Sequence, residues 1–371
     1  MNRFLPIVLC LLCVLSSLGR VGAEVVLSPN GVRVPTLQPD QKAYLSLDRK
    51  ARFKVLDNPA ERQRLFAVGG LQPALELTWP QGGEGPVELA VCADGGERQL
   101  FTLAANATNA WIANLCLGQK YLWTISTVQG GERSASFETE MTPPRLLRAD
   151  GVSNFRDLGG WRGLGGRRVR QNKILRSAGL RNSSKNRGGA LFNAKYEIGS
   201  RRVTEAGLAT LRDEFHIKTD MELRSQQECA GMTGSLIAGA KWVHVPFVAY
   251  DFIDNMVRGK EPFAKIFGIL ADEASYPVLM HCSGGRDRTG TLAFLLNGLL
   301  GVSEEDLLKD WEFSAFDDQG MKFNSGRIAR LLDYLHTLPG ENITEQIEAF
   351  VRSCGVTDQE VTAFREIMLE K

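Results

Sequence analysis

One segment of the sequence joins an apolar strand pattern to an apolar helix pattern through a short loop. The strand pattern covers residues 276–280, and the helix pattern covers residues 291–300. The loop between them begins at Cys282 and ends at Arg288, and we call residues 282–288 the Cys–Arg loop. A buried strand that leads directly into a buried helix is typical of parallel α/β sheets. This segment therefore constrains the fold more than any other.

The chain around this segment alternates between helix and strand patterns. These patterns lie at residues 202–214, 218–223, 241–246, 261–270 and 276–280. A further helix begins at Ser303, where a capping-box pattern precedes apolar residues. The alternation predicts an α/β domain over residues 145–371, with a mainly parallel central sheet flanked by helices.

The preceding part of the chain has the texture of a β-sheet protein. Four strand patterns alternate polar and apolar residues, at 74–79, 87–91, 121–127 and 134–139. Glycine-rich turns separate them, at 82–85, 95–96 and 130–131. Short alternating strands with regular turns predict an antiparallel β-sandwich domain over residues 24–144, similar in pattern to a fibronectin type III module. Residues 24–60 are harder to place and are expected to be a linker or a sheet edge.

The first residues have the organisation of an export signal. Asn2 and Arg3 precede an apolar run over residues 4–18, and small residues follow at 21–23. This pattern predicts a signal peptide over residues 1–23. The alternative is an uncleaved membrane anchor, although the run is shorter than the roughly 20 residues that span a bilayer. We expect no transmembrane segment after signal cleavage, and a periplasmic or secreted location.

The charge and the cysteine count narrow the function classes. The 371 residues carry a formal net charge of +1, which gives no reason to expect binding to nucleic acid or to a membrane surface. The cysteines after the predicted signal peptide are Cys92, Cys116, Cys229, Cys282 and Cys354. An odd count leaves at least one thiol free, for which Cys282 is the natural candidate. Cys92 and Cys116 can form a disulfide, and reduced thiols there are equally consistent with the sequence.

The residue types and spacing of the Cys–Arg loop suit the binding of one tetrahedral anion. Gly284 and Gly285 allow backbone N–H groups to point inward, and the helix that follows adds the positive end of its dipole. Arg288 is placed to bind two phosphate oxygens. In this positive field the thiol of Cys282 loses its proton readily, and the thiolate is a nucleophile. The loop therefore predicts cleavage of phosphate esters, with Cys282 as the nucleophile and Arg288 as the phosphate ligand.

Other residues in and beside the loop have predicted supporting roles. The residues expected to bind the substrate phosphate are Ser283, Gly284, Gly285, Arg286 and Thr289. The hydroxyl of Thr289 can also hydrogen-bond the thiolate, and His281 is expected to brace the loop, since a thiolate needs no base. No cofactor and no metal ion is predicted, because the loop itself supplies positive dipoles and the 4 histidines are scattered along the chain.

The loop resembles the signature of the cysteine-dependent protein tyrosine phosphatases, His-Cys-x-x-Gly-x-x-Arg-Thr-Gly. The matching residues are 281–290. Further segments resemble the bacterial tyrosine and lipid phosphatase subfamily: Asn-Phe-Arg-Asp-Leu-Gly-Gly at 154–160, then 165–167, 175–180, 222–225 and Glu228. The resemblance covers residues 148–330. Within the first of these segments, Asn154, Arg156 and Asp157 are expected to form a structural turn with a buried Arg–Asp pair that supports the phosphate loop.

A general acid is needed for the leaving group, and three carboxylic residues are candidates. Asp287 is the first choice by resemblance to the subfamily, and its alternative role is to cap the following helix. Asp251 is the second choice and Glu222 the third, since the subfamily usually has Asp at the latter position. Arg286 replaces the usual Lys and is expected to contact extra phosphates or to strengthen the anion site. The basic segment 181–200 is either a loop that gates the substrate or a solvated insertion.

The residues together predict a phosphatase that forms a phosphocysteine intermediate. Its expected substrates are phosphotyrosine-like proteins, phosphoinositide lipids or inositol phosphates. A rhodanese-type sulfurtransferase also has a Cys-loop-Arg cradle, but the Arg-Thr-Gly ending argues against it. The remaining alternative is an exported binding protein whose second domain is catalytically inert.

Overall fold

The structure is a computed structural model. It describes residues 27–80, 85–96, 98–128, 131–180, 203–249, 253–317 and 325–371. The predicted signal peptide, the segment 181–200 and Asp251 lie outside the described residues, as do parts of the turns predicted at 82–85 and 130–131. None of the helices in the described ranges is long and apolar enough to cross a membrane.

The chain divides into two compact units. Unit 1 consists of Met1–Leu37 and Gln72–Thr142, and unit 2 consists of Gln38–Leu71 and Pro143–Lys371. This division differs from the predicted ranges, because residues 38–71 pack with unit 2. They are not a linker or a sheet edge but three helices: α1 (Pro39–Leu45), α2 (Arg49–Asp57) and α3 (Pro59–Val68).

Helices α2 and α3 begin at side-chain caps, although their apolar periodicity is weak. The carboxylate of Asp48 accepts the backbone N–H of Ala51, and the amide oxygen of Asn58 accepts the N–H of Ala60. One of the most buried side chains of α2 is the cationic Arg52. A buried arginine breaks the apolar pattern that sequence-based reading relies on. This explains why the segment did not stand out as helical.

Unit 1 contains two β-sheets. Its strands are β1 (Val32–Val34), β2 (Leu75–Thr78), β3 (Val87–Ala93), β4 (Arg98–Leu103), β5 (Asn109–Ile112), β6 (Lys120–Thr127) and β7 (Gly131–Thr139). Five strands form one sheet in the order β1-β7-β6-β3-β4, and β2 pairs with β5 in the other. All pairs are antiparallel except β1 with β7. Both sheets contribute to one core, in which Leu77, Ile112 and Trp123 are buried.

The central sheet of unit 2 is mainly parallel. Its strands are β8 (Arg156–Asp157), β9 (Ile174–Ala178), β10 (Thr219–Glu222), β11 (Lys241–His244) and β12 (Val278–Cys282), in the order β11-β10-β12-β9-β8. The first four strands in that order run parallel, and β8 is antiparallel to β9. The predicted α/β domain with a central sheet flanked by helices is confirmed.

Eight further helices belong to the described residues of unit 2. They are α4 (Glu205–Ala209), α5 (Ile253–Arg258), α6 (Glu261–Leu270), α7 (Arg288–Leu299), α8 (Glu304–Glu312), α9 (Ser325–Leu335), α10 (Ile343–Ser353) and α11 (Asp358–Met368). Phe263, Ile266, Phe267 and Leu270 of α6 are buried, as predicted. The predicted cap at Ser303 is also present, because its hydroxyl accepts the N–H of Asp306.

Helix α7 is buried on all sides. Every residue from 289 to 299 is buried, so the helix lacks the polar face of a surface helix. Gly298 lets a neighbouring helix approach closely, since a Cβ at this position would lie 2.2 Å from Cδ1 of Ile347. Burial fixes the position of α7, and it therefore fixes the loop that leads into its first residue.

Candidate active site

The Cys–Arg loop lies at the carboxyl end of strand β12. Cys282 is the last residue of this strand and pairs in register with Ala178 of β9, while β10 flanks the strand on its other side. Helix α7 begins at Arg288, directly after the loop. Ligands of α/β proteins commonly bind at the carboxyl ends of the strands. The Cys282 residue is 2% exposed, so its sulfur is largely shielded from water.

The two glycines of the loop differ in what they permit. Gly285 has a φ of 68°, and a Cβ there would lie 2.5 Å from the carbonyl oxygen of Ser177. A Cβ on Gly284 would meet nothing within 4 Å. Of the two glycines, only Gly285 is required by both its backbone conformation and the space around it. Because Gly285 has no side chain, the loop can lie against the backbone of β9.

Arg288 is held by a carboxylate from the turn segment that follows β10. Its Nη1 and Nη2 donate to the carboxylate of Glu228 at 2.6 and 3.0 Å. The Oγ of Ser283 donates to Glu228 at 2.7 Å and accepts from Nη2 of Arg288 at 3.1 Å. Glu228 is fixed in turn by the backbone N–H and hydroxyl of Ser225, both at 3.0 Å. The guanidinium plane is thus set by three residues beside Cys282.

The charges of this group reinforce one another. Burial lowers the pKa of Arg288, but the hydrogen bond to Glu228 and the negative charge of Cys282 outweigh it, so the pKa is raised overall. Burial raises the pKa of Glu228, but the hydrogen bonds from Arg288 and Ser283 outweigh it and lower the pKa. The charge of Cys282 acts on buried Arg176 as well.

Asn154 supports the Cys–Arg loop from outside it. The side-chain amide of Asn154 donates to the carbonyl oxygen of Gly284 at 3.0 Å. Its own amide oxygen accepts a short hydrogen bond from Arg156. Asn154 has a φ of 53°, a conformation that Asn tolerates better than most residues. Asn154 is therefore positioned to support the backbone of the loop, and it is not placed beside the sulfur of Cys282.

A buried ion-pair network lies behind this contact. Nε of Arg156 donates to Asp310 at 2.9 Å, and Nη1 of Arg176 donates to the same carboxylate at 2.5 Å. Nη2 of Arg176 donates to the carbonyl oxygen of Gly285 at 2.8 Å. The carbonyl oxygens of both loop glycines thus accept hydrogen bonds from side chains that are tied, directly or through Arg156, to Asp310 on α8.

The Arg–Asp pair expected inside the 154–160 segment is not formed, because each of the two residues pairs with a residue outside the segment. Asp157 pairs with Arg145 at 2.7 Å, whereas Arg156 pairs with Asp310. Asp157 also accepts the backbone N–H groups of Gly159 and Asn172, at 2.8 and 2.7 Å. Burial raises the pKa of Asp157 despite these partners. The two residues are adjacent on a strand, so their side chains point to opposite faces and cannot pair with each other.

His281 contacts the neighbouring strand. Its Nε2 lies 2.6 Å from Asp220, and its Nδ1 lies 3.5 Å from Glu222. Burial lowers the pKa of His281, but the charges of Glu222 and Asp220 outweigh it and raise the pKa. The histidine therefore braces β12 against β10, and the structure shows no hydrogen bond from its side chain to the loop among the described residues.

The general-acid candidates have different surroundings. Both oxygens of Asp287 are paired with Arg286, at 3.1 and 3.2 Å, and Oδ1 lies 3.5 Å from Nη1 of Arg327. Asp287 occupies the N-cap position of α7, but its side chain accepts no backbone N–H of the helix, so the alternative capping role is not observed. Glu222 is fully buried and is bound by the guanidinium of Arg224 at 2.5 and 2.8 Å. A carboxylate enclosed in this way has no path to a leaving group.

Two predicted substrate ligands are oriented differently from expectation. Thr289 is buried, and its hydroxyl makes no hydrogen bond in the described structure, so the predicted bond to the thiolate is not formed. The side chain of Arg286 is 2% exposed and faces Asp287. The structure also bears on the predicted cysteine pairing and on metal binding. Cys92 and Cys116 are free thiols. No group of three or more metal-ligating side chains lies within the described ranges.

Three residues of the site were not predicted from the sequence. Glu228 was noted only as part of a resemblance, and Arg176 and Asp310 were not noted for a role. Arg176 carried a usable signal, because a charged residue inside the apolar run 174–178 needs a buried partner. Asp310 carried none, since acidic residues are common on helices. Their roles depend on contacts between distant parts of the chain.

The comparisons with known proteins concern unit 2. The model of the tyrosine phosphatase family matches residues 147–200 and 197–370. A Cupriavidus necator protein named "putative tyrosine-protein phosphatase" is 30% identical over 193 residues, which are 50% of this chain and 68% of that protein. The tyrosine-protein phosphatase of Nostoc commune is 25% identical over 137 residues, which are 30% of this chain and 45% of that protein.

A solved structure was also found. It is the core catalytic domain of the PP-IP phosphatase SIW14 from S. cerevisiae, in complex with citrate. The sequences are 17% identical, the match covers 52% of this chain and 97% of that one, and the TM-score is 0.28.

The fold and the site define an α/β protein with a cysteine at the end of its central strand and an arginine at the start of the following helix. The family model covers more than half of the chain, and the Cupriavidus protein is covered over 68% of its length. The chain belongs to the tyrosine phosphatase family.

Proposed function

We propose that this protein is a phosphatase that hydrolyses phosphate monoesters through a phosphocysteine intermediate on Cys282. The observation that carries the proposal is the position of Arg288. Its guanidinium is oriented by Glu228, and the residue stands at the end of the loop that begins with Cys282. Preorganised positive groups beside a nucleophilic sulfur stabilise the charge that develops on a transferring phosphoryl group. Membership of the tyrosine phosphatase family supports the same reaction class.

The reaction has two displacement steps. First, the thiolate of Cys282 attacks phosphorus, an S–P bond forms, and the P–O bond to the leaving group breaks. Second, water attacks phosphorus, the S–P bond breaks, and inorganic phosphate and the thiolate are released. Arg288 and the loop N–H groups bind the equatorial oxygens in both steps. Asp287 protonates the leaving oxygen in the first step and accepts a proton from water in the second.

The proposed substrates are phosphotyrosine-like proteins, phosphoinositide lipids or inositol phosphates. The names of the two bacterial relatives support the first of these classes. The cationic side chains of Arg286 in the loop and of Arg327 beside it support a substrate with more than one anionic group. A panel of substrates from all three classes, assayed for phosphate release, ranks them by kcat/KM.

Unit 1 and the start of the chain have proposed accessory roles. We infer that the two sheets of unit 1 form a β-sandwich module similar to fibronectin type III domains, because buried residues from both sheets share one core. We also propose that the protein is exported to the periplasm or secreted, on the basis of the apolar run at residues 4–18. Mass spectrometry of the N-terminus of the purified native protein tests for cleavage after Ala23.

The central test is a Cys282→Ser variant assayed on an aryl phosphate. We expect it to bind vanadate or phosphate but to release no phosphate, because the hydroxyl of serine is a far weaker nucleophile than a thiolate. Cys92→Ser, in unit 1, is the matched control and should keep wild-type turnover. Phosphate release by Cys282→Ser would refute the mechanism. Sulfur transfer from thiosulfate without phosphate release would favour a sulfurtransferase, and no turnover by the wild type would favour an inert binding protein.

A further inference from the structure

Two arginines share the carboxylate of Asp287. Arg286, its neighbour in the loop, contacts both oxygens at 3.1 and 3.2 Å. Arg327 comes from α9, which lies 40 positions further along the chain, and its Nη1 is 3.5 Å from Oδ1. One carboxylate thus stands between two guanidinium groups, directly beside the residue that would bind the transferred phosphate. The three side chains together carry one net positive charge.

The two arginines differ in their access to a ligand. The side chain of Arg286 is 2% exposed, whereas that of Arg327 is 36% exposed. A second anionic group on a bound substrate would therefore meet Arg327 before it met Arg286. This changes the expectation from the sequence, in which Arg286 was the residue for extra phosphates.

The pairing of Asp287 conflicts with its role as an acid. A carboxylate whose oxygens both accept from guanidinium groups is stabilised in its charged form, and a general acid must carry a proton. Phosphate carries more charge than carboxylate, and arginine binds it bidentately with strong hydrogen bonds. A second phosphate would therefore compete with Asp287 for Arg327. Loss of that contact would leave Oδ1 with one cation fewer.

We propose that Arg327 is a specificity-determining residue that binds a second phosphate of the substrate and, in doing so, releases Asp287 to protonate the leaving group. The inference rests on the proposed function and adds the substrate class, a phosphate monoester with a second phosphate close by. It makes the acid step depend on the presence of that second phosphate. Singly phosphorylated substrates meet a paired Asp287 and react more slowly.

The test compares inositol monophosphate with an inositol bisphosphate whose phosphates are on adjacent carbons. Both have the same kind of leaving group, so the ratio of their kcat/KM values isolates the effect of the second phosphate. We expect the wild type to favour the bisphosphate, and Arg327→Ala to lower the ratio about tenfold, the size of one charged hydrogen bond. Arg327→Lys should restore part of it. Arg330→Ala, an exposed position on the same helix, is the control and should leave the ratio unchanged.

A second measurement examines the release of Asp287. Asp287→Asn should cost more activity on the bisphosphate than on the monophosphate in the wild-type background, and equal amounts in the Arg327→Ala background. If Arg327→Ala by itself lowered kcat/KM equally on the monophosphate and the bisphosphate, Arg327 would have only a structural role and the inference would be overturned. A wild type with no preference for the bisphosphate would also overturn it. Failure of the proposed function is distinct, since it would appear as phosphate release that survives Cys282→Ser or as no release at all.

Discussion

Both terminal nitrogens of Arg288 donate hydrogen bonds to the carboxylate of Glu228, at 2.6 and 3.0 Å. The two residues are 60 positions apart in the sequence, and Ser283 bonds to both of them. The catalytic arginine of the proposed reaction is therefore oriented before any substrate arrives. Such preorganisation removes the cost of ordering a long side chain during the reaction.

Replacing Glu228 should disorder this arginine. In Glu228→Gln one charged acceptor becomes a donor, so one of the two hydrogen bonds from Arg288 is lost. We expect kcat/KM on an aryl phosphate to fall between about 10-fold and 100-fold, with weaker inhibition by vanadate. Gln227→Ala is the control, because Gln227 is exposed and adjacent. Unchanged kinetics and vanadate inhibition in Glu228→Gln would contradict the orienting role.

The two loop glycines should respond differently to alanine. Gly285→Ala places a Cβ 2.5 Å from the backbone of Ser177 at a positive φ, so the loop must shift. We expect a loss of activity of about 100-fold or more, since a displacement of about 1 Å near the chemistry can have this effect. Gly284→Ala, with open space around its Cβ, is the matched control and should retain most of the activity. Similar losses in both variants would show that the crowding at Gly285 is unimportant.

Asp310 should matter for stability as well as for activity. Its carboxylate is the partner of both Arg156 and Arg176, which are buried. Asp310→Asn leaves these guanidinium groups without a counter-ion, and removal of one partner from a buried ion pair costs about 3–5 kcal/mol. Denaturant unfolding measures this loss. Asp306→Asn, one turn earlier on α8 and partly exposed, should change the free energy of unfolding by less than about 1 kcal/mol.

A comparable stability for the two variants would show that the buried network contributes little. Circular dichroism of Asp310→Asn at low temperature tests whether this variant still folds. If it folds, its activity should fall too, because Arg176 supports the carbonyl oxygen of Gly285.

The stability of unit 2 should depend on pH through Glu312. Burial raises the pKa of this carboxyl group to about 7, against hydrogen bonds from Arg52 and Tyr44. The folded protein then binds a proton more tightly than the unfolded chain. The contribution of Glu312 to stability is fully present below about 4.5 and is lost as pH rises through about 7.

This trend is measurable as a difference between two proteins. Glu312→Gln cannot ionise, so its free energy of unfolding relative to the wild type should improve between pH 4.5 and 7.5, by up to about 3 kcal/mol. Denaturant unfolding at several pH values gives the difference directly. A difference that is constant over this interval would show that Glu312 does not change its protonation there.

Part of this architecture could be predicted from local sequence. The apolar strand, the loop and the apolar helix around Cys282 follow one another without a break, and each is recognisable from its own residues. The inward face of α6 and the cap at Ser303 are equally local. The supporting residues were less accessible, because Arg156 and Asp157 gave no sign that their partners would be Asp310 and Arg145.

The sequence by itself determined the identity and the order of the reactive groups, since the spacing between Cys282 and Arg288 is fixed by covalent connection. Only the tertiary structure decided which charges face them. Glu228 reaches Arg288 because β10 lies beside β12, and Arg327 reaches Asp287 because α9 folds back to the start of α7. Such pairs are set by the packing of distant segments, and no local pattern of residues specifies that packing in advance.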